Sequence, residues 1–157
     1  MESKEYLSRL RKLDNEIKAK CDKIEELKHR ASGVSSAKLY TDKVQMTKGA
    51  GSMGDLIDQA VDLEKQVQEL PLQYFLLKDQ VINLIHTLDN ALYIELLYLK
   101  YVGRYDNKTG RVRYMTLSEI AKSLERSDGN CYTYQYIRAV HGEALKVLDA
   151  NMKTPAP

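Results

Sequence analysis

Two neighbouring stretches decide how this chain is read: Thr116-Leu-Ser-Glu-Ile-Ala-Lys-Ser-Leu124 and Thr133-Tyr-Gln-Tyr-Ile-Arg-Ala-Val-His-Gly-Glu-Ala-Leu-Lys-Val-Leu148. Thr116 and Glu119 have the spacing of a capping box, in which hydroxyl and carboxylate each satisfy a backbone N–H left free at a helix start. Leu117, Ile120, Ala121 and Leu124 then share one face of a short helix. Ser127-Asp128-Gly129-Asn130 is turn chemistry. Thr133 is placed to cap a second helix with Ile137, Val140, Ala144, Leu145 and Leu148 inward. A short helix, a turn and an amphipathic second helix are the plan of a helix-turn-helix, whose second helix enters the major groove N-terminus first. The small Ala121 lies where the two helices must approach closely. Tyr132, Tyr134 and Tyr136 alternate as a strand would, and a strand there would start the second helix later.

Working outward toward the N-terminus, Asp89 and Asn90 can cap a helix carrying Leu92, Leu96, Leu97 and Leu99 to about Val102. Next, Gly103-Arg104-Tyr105 and Arg111-Val112-Arg113-Tyr114 flank Asp106–Gly110, a β-hairpin pattern in which Gly110 supplies a positive φ. Its cations Arg104, Lys108, Arg111 and Arg113 make it either a DNA-binding wing that adds phosphate contacts or a solvated basic hairpin.

The first half follows a heptad grammar. Leu10, Ile17, Ile24 and Ala31 recur every seven residues, with Tyr6, Leu13 and Leu27 interleaved and Lys20 an exception. This predicts a long helix from about Lys4 to Ala31. Gly33, Gly49, Gly51 and Gly54 then break the pattern, and a flexible loop is expected at about 32–54, with Val44-Gln45-Met46 its one compact stretch. Leu56, Leu63, Leu70, Leu77 and Leu84 restart a seven-residue repeat, completed by Ala60, Val67, Tyr74, Val81 and Leu88. Pro71 must cost this segment a backbone bond. One kinked helix or two helices meeting near Leu70 are the outcomes, and the unbroken register favours the kink.

The net charge of +2 hides a pattern of basic ends and an acidic middle. Opposed charge draws the first two helical segments together as an antiparallel hairpin; self-association through the same faces is the competing arrangement. The basic C-terminal part is left for a polyanionic partner. No apolar run is long enough to span a membrane, and Glu2, Lys4 and Glu5 are unlike a secretory leader, so a cytoplasmic protein with reduced Cys21 and Cys131 is expected. His29, His86 and His141 have no partner at ligand spacing, so no metal or other cofactor is expected, and His141 is expected to pack or cap near the helix crossing. Tyr93, Tyr98 and Tyr101, at helical spacing, belong to core and rim. With no phosphate loop, nucleophile elbow or paired carboxylates, nothing points to catalysis.

Leu97 and Tyr101, then Thr116, Glu119, Ile120, Ala121 and Leu124, then Thr133, Ile137, Val140, Ala144, Leu145 and Leu148 fall on the pattern of region four of bacterial sigma factors, which this part of the chain resembles. With His141-Gly142 before Ala144-Leu145, and with long helices and Val44-Gln45 upstream, the whole chain looks like the small sigma-like phage regulators akin to the ArpU/RinA group of late-gene activators. The chain departs from that pattern in two places. Glu125 stands where the turn usually has glycine, and the turn is longer by several residues through Tyr132.

The resemblance implies an all-α protein: an antiparallel, coiled-coil-like helical hairpin over 1–88, a helix-turn-helix domain over 89–150 with a small β-hairpin insertion, and a frayed tail over 151–157. It implies sequence-selective binding of double-stranded DNA in a bacterial host cell, with host RNA polymerase as a further contact. On the matching positions Tyr134, Gln135, Arg138 and Ala139 would face the bases, Arg138 reading guanine and Gln135 adenine. Thr116, Lys122, Arg126, Thr133, Tyr136 and Lys146 would meet the DNA backbone. The alternatives are a protein-binding inhibitor or adaptor that uses the helical arm, and a DNA-packaging accessory protein.

Overall fold

The structure, a computed structural model, describes residues 2–37 and 53–154. These residues are mostly helical, with one small sheet. The elements are α1 (Glu2–Ala37), α2 (Met53–Val67), α3 (Leu70–Ile85), α4 (Ala91–Leu97) running into a π-helical turn (Tyr98–Val102), β1 (Arg104–Asp106), β2 (Arg111–Arg113), α5 (Leu117–Ser123) and α6 (Tyr134–Lys153). They divide into two compact units, one formed by Met1–Lys12 with Phe75–Pro157 and the other by Leu13–Tyr74.

In the Leu13–Tyr74 unit, Leu27 and Ala31 of α1 bury themselves with Leu56 and Ala60 of α2, flanked by Met53 and Leu63. Lys28 and Glu64 pair across the two helices, the opposed charge expected from the sequence. Two boundaries differ from expectation. α1 does not stop at Ala31 but continues through Gly33 to Ala37, so the start of the expected loop is helix. A single glycine costs a helix only about 1 kcal/mol, which a preceding packed face can outweigh. Residues 38–52, including Val44-Gln45-Met46, lie outside the described residues. The segment around Pro71 is two helices rather than one kinked helix: α2 ends at Val67 and α3 begins at Leu70. Pro71 therefore sits in the first turn of α3, where its missing N–H removes no helical bond.

The other unit is built around α6. Ile137, Ala144 and Leu148 of α6 are wholly buried, as are Ile120 of α5, Leu96 and Leu97 of α4, and Val81 and Ile85 of α3. Leu7 and Leu10 of α1 are also 0% exposed. The first turn of α1 is tied to α6, since the Ser3 hydroxyl donates to the Leu145 carbonyl at 3.2 Å and the Ser3 N–H to Asp149 Oδ1 at 2.7 Å. Tyr6, expected in the heptad seam, is only half-buried and donates to Gln80 Oε1 instead. A straight helix drifts against a seven-residue repeat. Leu10, Ile24 and Ala31 stay on the seven-residue row, while the buried residue interleaved with it changes from Leu7 at the start of α1 to Leu27, one heptad position over, further along.

The expected caps are present. Asn90 Oδ1 accepts from the Leu92 N–H at 2.9 Å and starts α4. The π-helical turn ends at Gly103, whose N–H reaches back to the Tyr98 carbonyl at 2.8 Å. Gly103 holds φ +74°, and a Cβ there would lie 2.6 Å from the Arg113 carbonyl oxygen. Only glycine fits this close approach of the hairpin to the turn. β1 and β2 pair antiparallel, with Tyr105 opposite Val112. Gly110 takes the anticipated positive φ, +65°. The C-terminus is corrected: α6 runs to Lys153 instead of fraying from Asn151, and Asn151 Nδ2 donates to the Thr87 carbonyl and hydroxyl.

Candidate nucleic-acid interface

α5 starts on the expected capping box. The Glu119 N–H donates to Thr116 Oγ1 at 3.3 Å, and the Thr116 N–H to Glu119 Oε2 at 2.8 Å. Thr116's N–H, the Arg113 guanidinium and the Thr116 hydroxyl together pull the Glu119 carboxyl down to about 2. α5 packs on α6, and Ile120 and Ala121 are its buried residues.

The long turn between them has a structural reason for lacking glycine at Glu125. Leu124 ends α5 in an extended conformation, φ −88° and ψ 125°, which any residue adopts. The chain then forms a miniature hairpin. Glu125 bridges Cys131 antiparallel, the Arg126 N–H donates to the Asn130 carbonyl, and the Asn130 N–H to Asp128 Oδ1. The left-handed residue has moved to Gly129, φ +78°. No strand extends through Tyr134: Thr133 caps α6 by accepting from the Tyr136 N–H, and Tyr134 opens the helix.

α6 has two faces. Ile137, Val140, Ala144, Leu145 and Leu148 are buried, while Tyr134, Gln135, Arg138, Ala139 and Lys146 are exposed. Gln135, Arg138, Ala139 and Lys146 line one open hollow with Gly142 and Glu143. Glu143 was not anticipated. It accepts from the Tyr93 hydroxyl at 3.1 Å, which holds that phenol above its ordinary range. Tyr136 turns aside and stacks on Tyr132 at 5.3 Å. Arg126 lies over the Tyr132 ring at 6.0 Å, with Asp128 3.7 Å away. Thr133 joins Arg126 and Tyr136 in this second hollow. Lys122 is exposed on α5, and its carbonyl accepts from the Cys131 thiol.

A third hollow brings Thr116 and Tyr134 together with Leu117, Ser118 and Lys100, a residue sequence reasoning passed over. Burial pushes the Lys100 ammonium down, and the charges of Arg11 and Lys4 push it further. Beside it, the Tyr101 hydroxyl meets His141 Nε2 at 3.0 Å with the two rings stacked. Burial, then the Lys100 and Lys4 charges, push His141 down to about 4; burial lifts Tyr101 to about 12.

The hairpin cations are partly spoken for. Arg113 pairs with Glu119 at 2.9 Å and Arg104 with Glu95 at 3.7 Å. Lys108 is exposed at the tip, where its N–H donates to Asp106, and Arg111 is exposed in β2. Among the described residues, no group of three or more His, Cys, Asp or Glu side chains could hold a metal ion. No described helix is long and apolar enough to cross a membrane. No family model matches the chain, and neither a curated protein nor a solved structure does.

Proposed function

We propose that the chain is a sequence-selective DNA-binding regulator of the sigma-region-four-like, phage type, in which α5 and α6 act as a helix-turn-helix and α6 is the recognition helix. The supporting observation is the outward face of α6. Gln135, Arg138 and Ala139 stand exposed in its first turns, at the end that enters a major groove, on a helix whose opposite face is locked into the core. Arg138 reads guanine and Gln135 adenine by paired hydrogen bonds. Lys122, Arg126 and Lys146 meet phosphates. Glu143 gives the same face a hydrogen-bond acceptor suited to cytosine N4. Contact with host RNA polymerase is a further element of this reading and rests on the resemblance alone.

Fluorescence anisotropy with labelled duplexes tests it, using random sequence and fragments of phage promoters. Binding is expected to fall steeply with salt, and Arg138→Ala should lose roughly tenfold or more in discrimination at one base pair. Absence of binding to any duplex at low salt overturns the reading. A protein-binding adaptor is the second reading, favoured by one observation: Leu72, Phe75 and Leu76 of α3 are 65%, 60% and 56% exposed.

A further inference from the structure

The N-terminal turns of α1 carry an arrangement that the helix-turn-helix reading does not use. Lys4 and Arg11 stand seven residues apart on α1, hence on one face and about 10.5 Å apart along it. Both are exposed, and both are close enough to Lys100 for their charges to act on its ammonium. Among the described residues, none of the three has an ion-pair partner. The hairpin arginines Arg104 and Arg113, by contrast, face carboxylates. Geometry places Arg11 near Lys100 as well: Arg11 lies over the Tyr114 ring, and the next residue, Met115, donates its N–H to the carbonyl of Leu99, the neighbour of Lys100. Cations so placed without a paired carboxylate favour an anion.

The surroundings are donors as well. The Lys100 ammonium shares its hollow with the Ser118 and Tyr134 hydroxyls, and with Thr116, whose own hydroxyl is committed to Glu119. The Arg11 guanidinium rests over the Tyr114 ring at 5.4 Å, which positions the cation while leaving its N–H edge available to an oxyanion. The nearest capping carboxylate, Glu119, is occupied by Arg113 and the Thr116 N–H. Position is fixed too. Ser3, next to Lys4, is bonded to Leu145 and Asp149 of α6, and Leu7 and Leu10 are buried between Lys4 and Arg11. Tyr134 joins this cluster to the exposed face of α6.

We propose that Lys4 and Arg11 of α1, together with Lys100, form a phosphate-binding patch that grips the backbone of the same duplex whose bases α6 reads. The proposal rests on the helix-turn-helix reading and assigns the first turns of α1 to the DNA interface. Because the contacts are to phosphate, they add affinity and salt dependence without adding sequence preference.

The test is a salt titration of duplex binding by the full chain, comparing the wild type with K4Q/R11Q, with K4Q/R11Q/K100Q and with K12Q. Lys12 is an exposed cation of α1 with no place in the cluster and serves as the control for losing a single α1 charge. Each lost phosphate contact should lower the slope of log K against log salt by about 0.9, so about 1.8 for the double variant and about 2.7 for the triple. Affinity at low salt should fall at least tenfold, with the ratio between promoter and random duplex unchanged. The double variant alters exposed side chains only, so a folding defect of Lys100→Gln cannot decide the outcome. Slopes of both variants equal to that of K12Q overturn the patch. If, alongside equal slopes, Arg138→Ala still loses discrimination, the patch alone has failed. If the wild type binds no duplex, the patch and the function have failed together.

Discussion

His141 makes the stability of the α6 unit depend on pH in a calculable way. Its ring is stacked on Tyr101 with Nε2 3.0 Å from the phenol oxygen. Burial, reinforced by the Lys100 and Lys4 charges, brings it from 6.5 down to about 4. In the unfolded chain the imidazole takes up its proton as pH falls through 6.5, whereas in the folded protein it stays neutral until about 4. Protons therefore favour the unfolded state inside that window. The contribution is intact above 6.5, drains away between 6.5 and 4, and does not change below 4. At about 1.36 kcal/mol per pH unit the ceiling is about 3 kcal/mol. The ring keeps part of its contact with water, so about half of that, roughly 1.5 kcal/mol, is the expected effect. Urea unfolding followed by circular dichroism at pH 7.5, 6, 5 and 4.5 measures it, comparing the wild type with His141→Phe. The phenylalanine keeps the ring stack but leaves the Tyr101 hydroxyl without its partner, a pH-independent offset of about 1 kcal/mol. The Glu119 and Asp149 carboxyls, both held low, titrate alike in the two proteins and cancel. The wild type should lose about 1.5 kcal/mol more than the variant between pH 7.5 and 4.5. A difference that stays flat across that range, or an NMR titration placing His141 at 6 or above, refutes the reasoning.

Other outcomes follow from single positions. Gly103→Ala places a Cβ 2.6 Å from a backbone carbonyl at positive φ and should cost about 1–3 kcal/mol or more, read as a lowered Tm. Gly142→Ala meets no atom within 4 Å inside a helix and should be neutral or stabilise by about 0.5–1 kcal/mol; equal losses at the two glycines would contradict the close approach of hairpin and π-helical turn. Leu7→Ala should cost about 2–5 kcal/mol, and a loss near zero in denaturant unfolding would show that the start of α1 is not part of the folded core. Thr133→Ala removes the cap of α6 and should cost about 1 kcal/mol in the same assay.

The parts of the fold that were legible in the sequence are those whose physics is local. A capping box needs only Thr116 and Glu119, three residues apart, and the structure forms both of its hydrogen bonds. Asn90 and Thr133 act within one helical turn, and Gly110 within one hairpin. The inward face of α6 was legible for the same reason, because helical spacing alone sorts Ile137, Val140, Ala144, Leu145 and Leu148 from their neighbours. Where the reading slipped, a longer-range term prevailed. α1 passes Gly33, and α6 passes Asn151, whose side chain donates to the carbonyl and hydroxyl of Thr87, 64 residues away. The pairing of Leu124 with an extended backbone, which removes the need for glycine at position 125, depends on a bridge to Cys131 that no turn pattern announces.

The start of α1 shows the same limit with a functional consequence. In the heptad pattern Lys4 and Arg11 are unremarkable solvent positions of a basic helix, and Lys100 is one charge at the end of an apolar one. Their meeting depends on Ser3 bonding to residues 142 and 146 positions away, a relation that no local window contains. Burial of Leu7 and Leu10 then anchors the backbone that carries Lys4 and Arg11. Flexible lysines lose conformational freedom when they bind an anion, whereas cations already held together by their backbone lose less of it. A Leu7→Ala variant that stays folded at low temperature should therefore bind duplex more weakly than the wild type at the same salt, although no charge has been removed. An affinity identical to the wild type in that variant would mean that Lys4 and Arg11 act as independent surface charges and that the docking of α1 contributes stability alone.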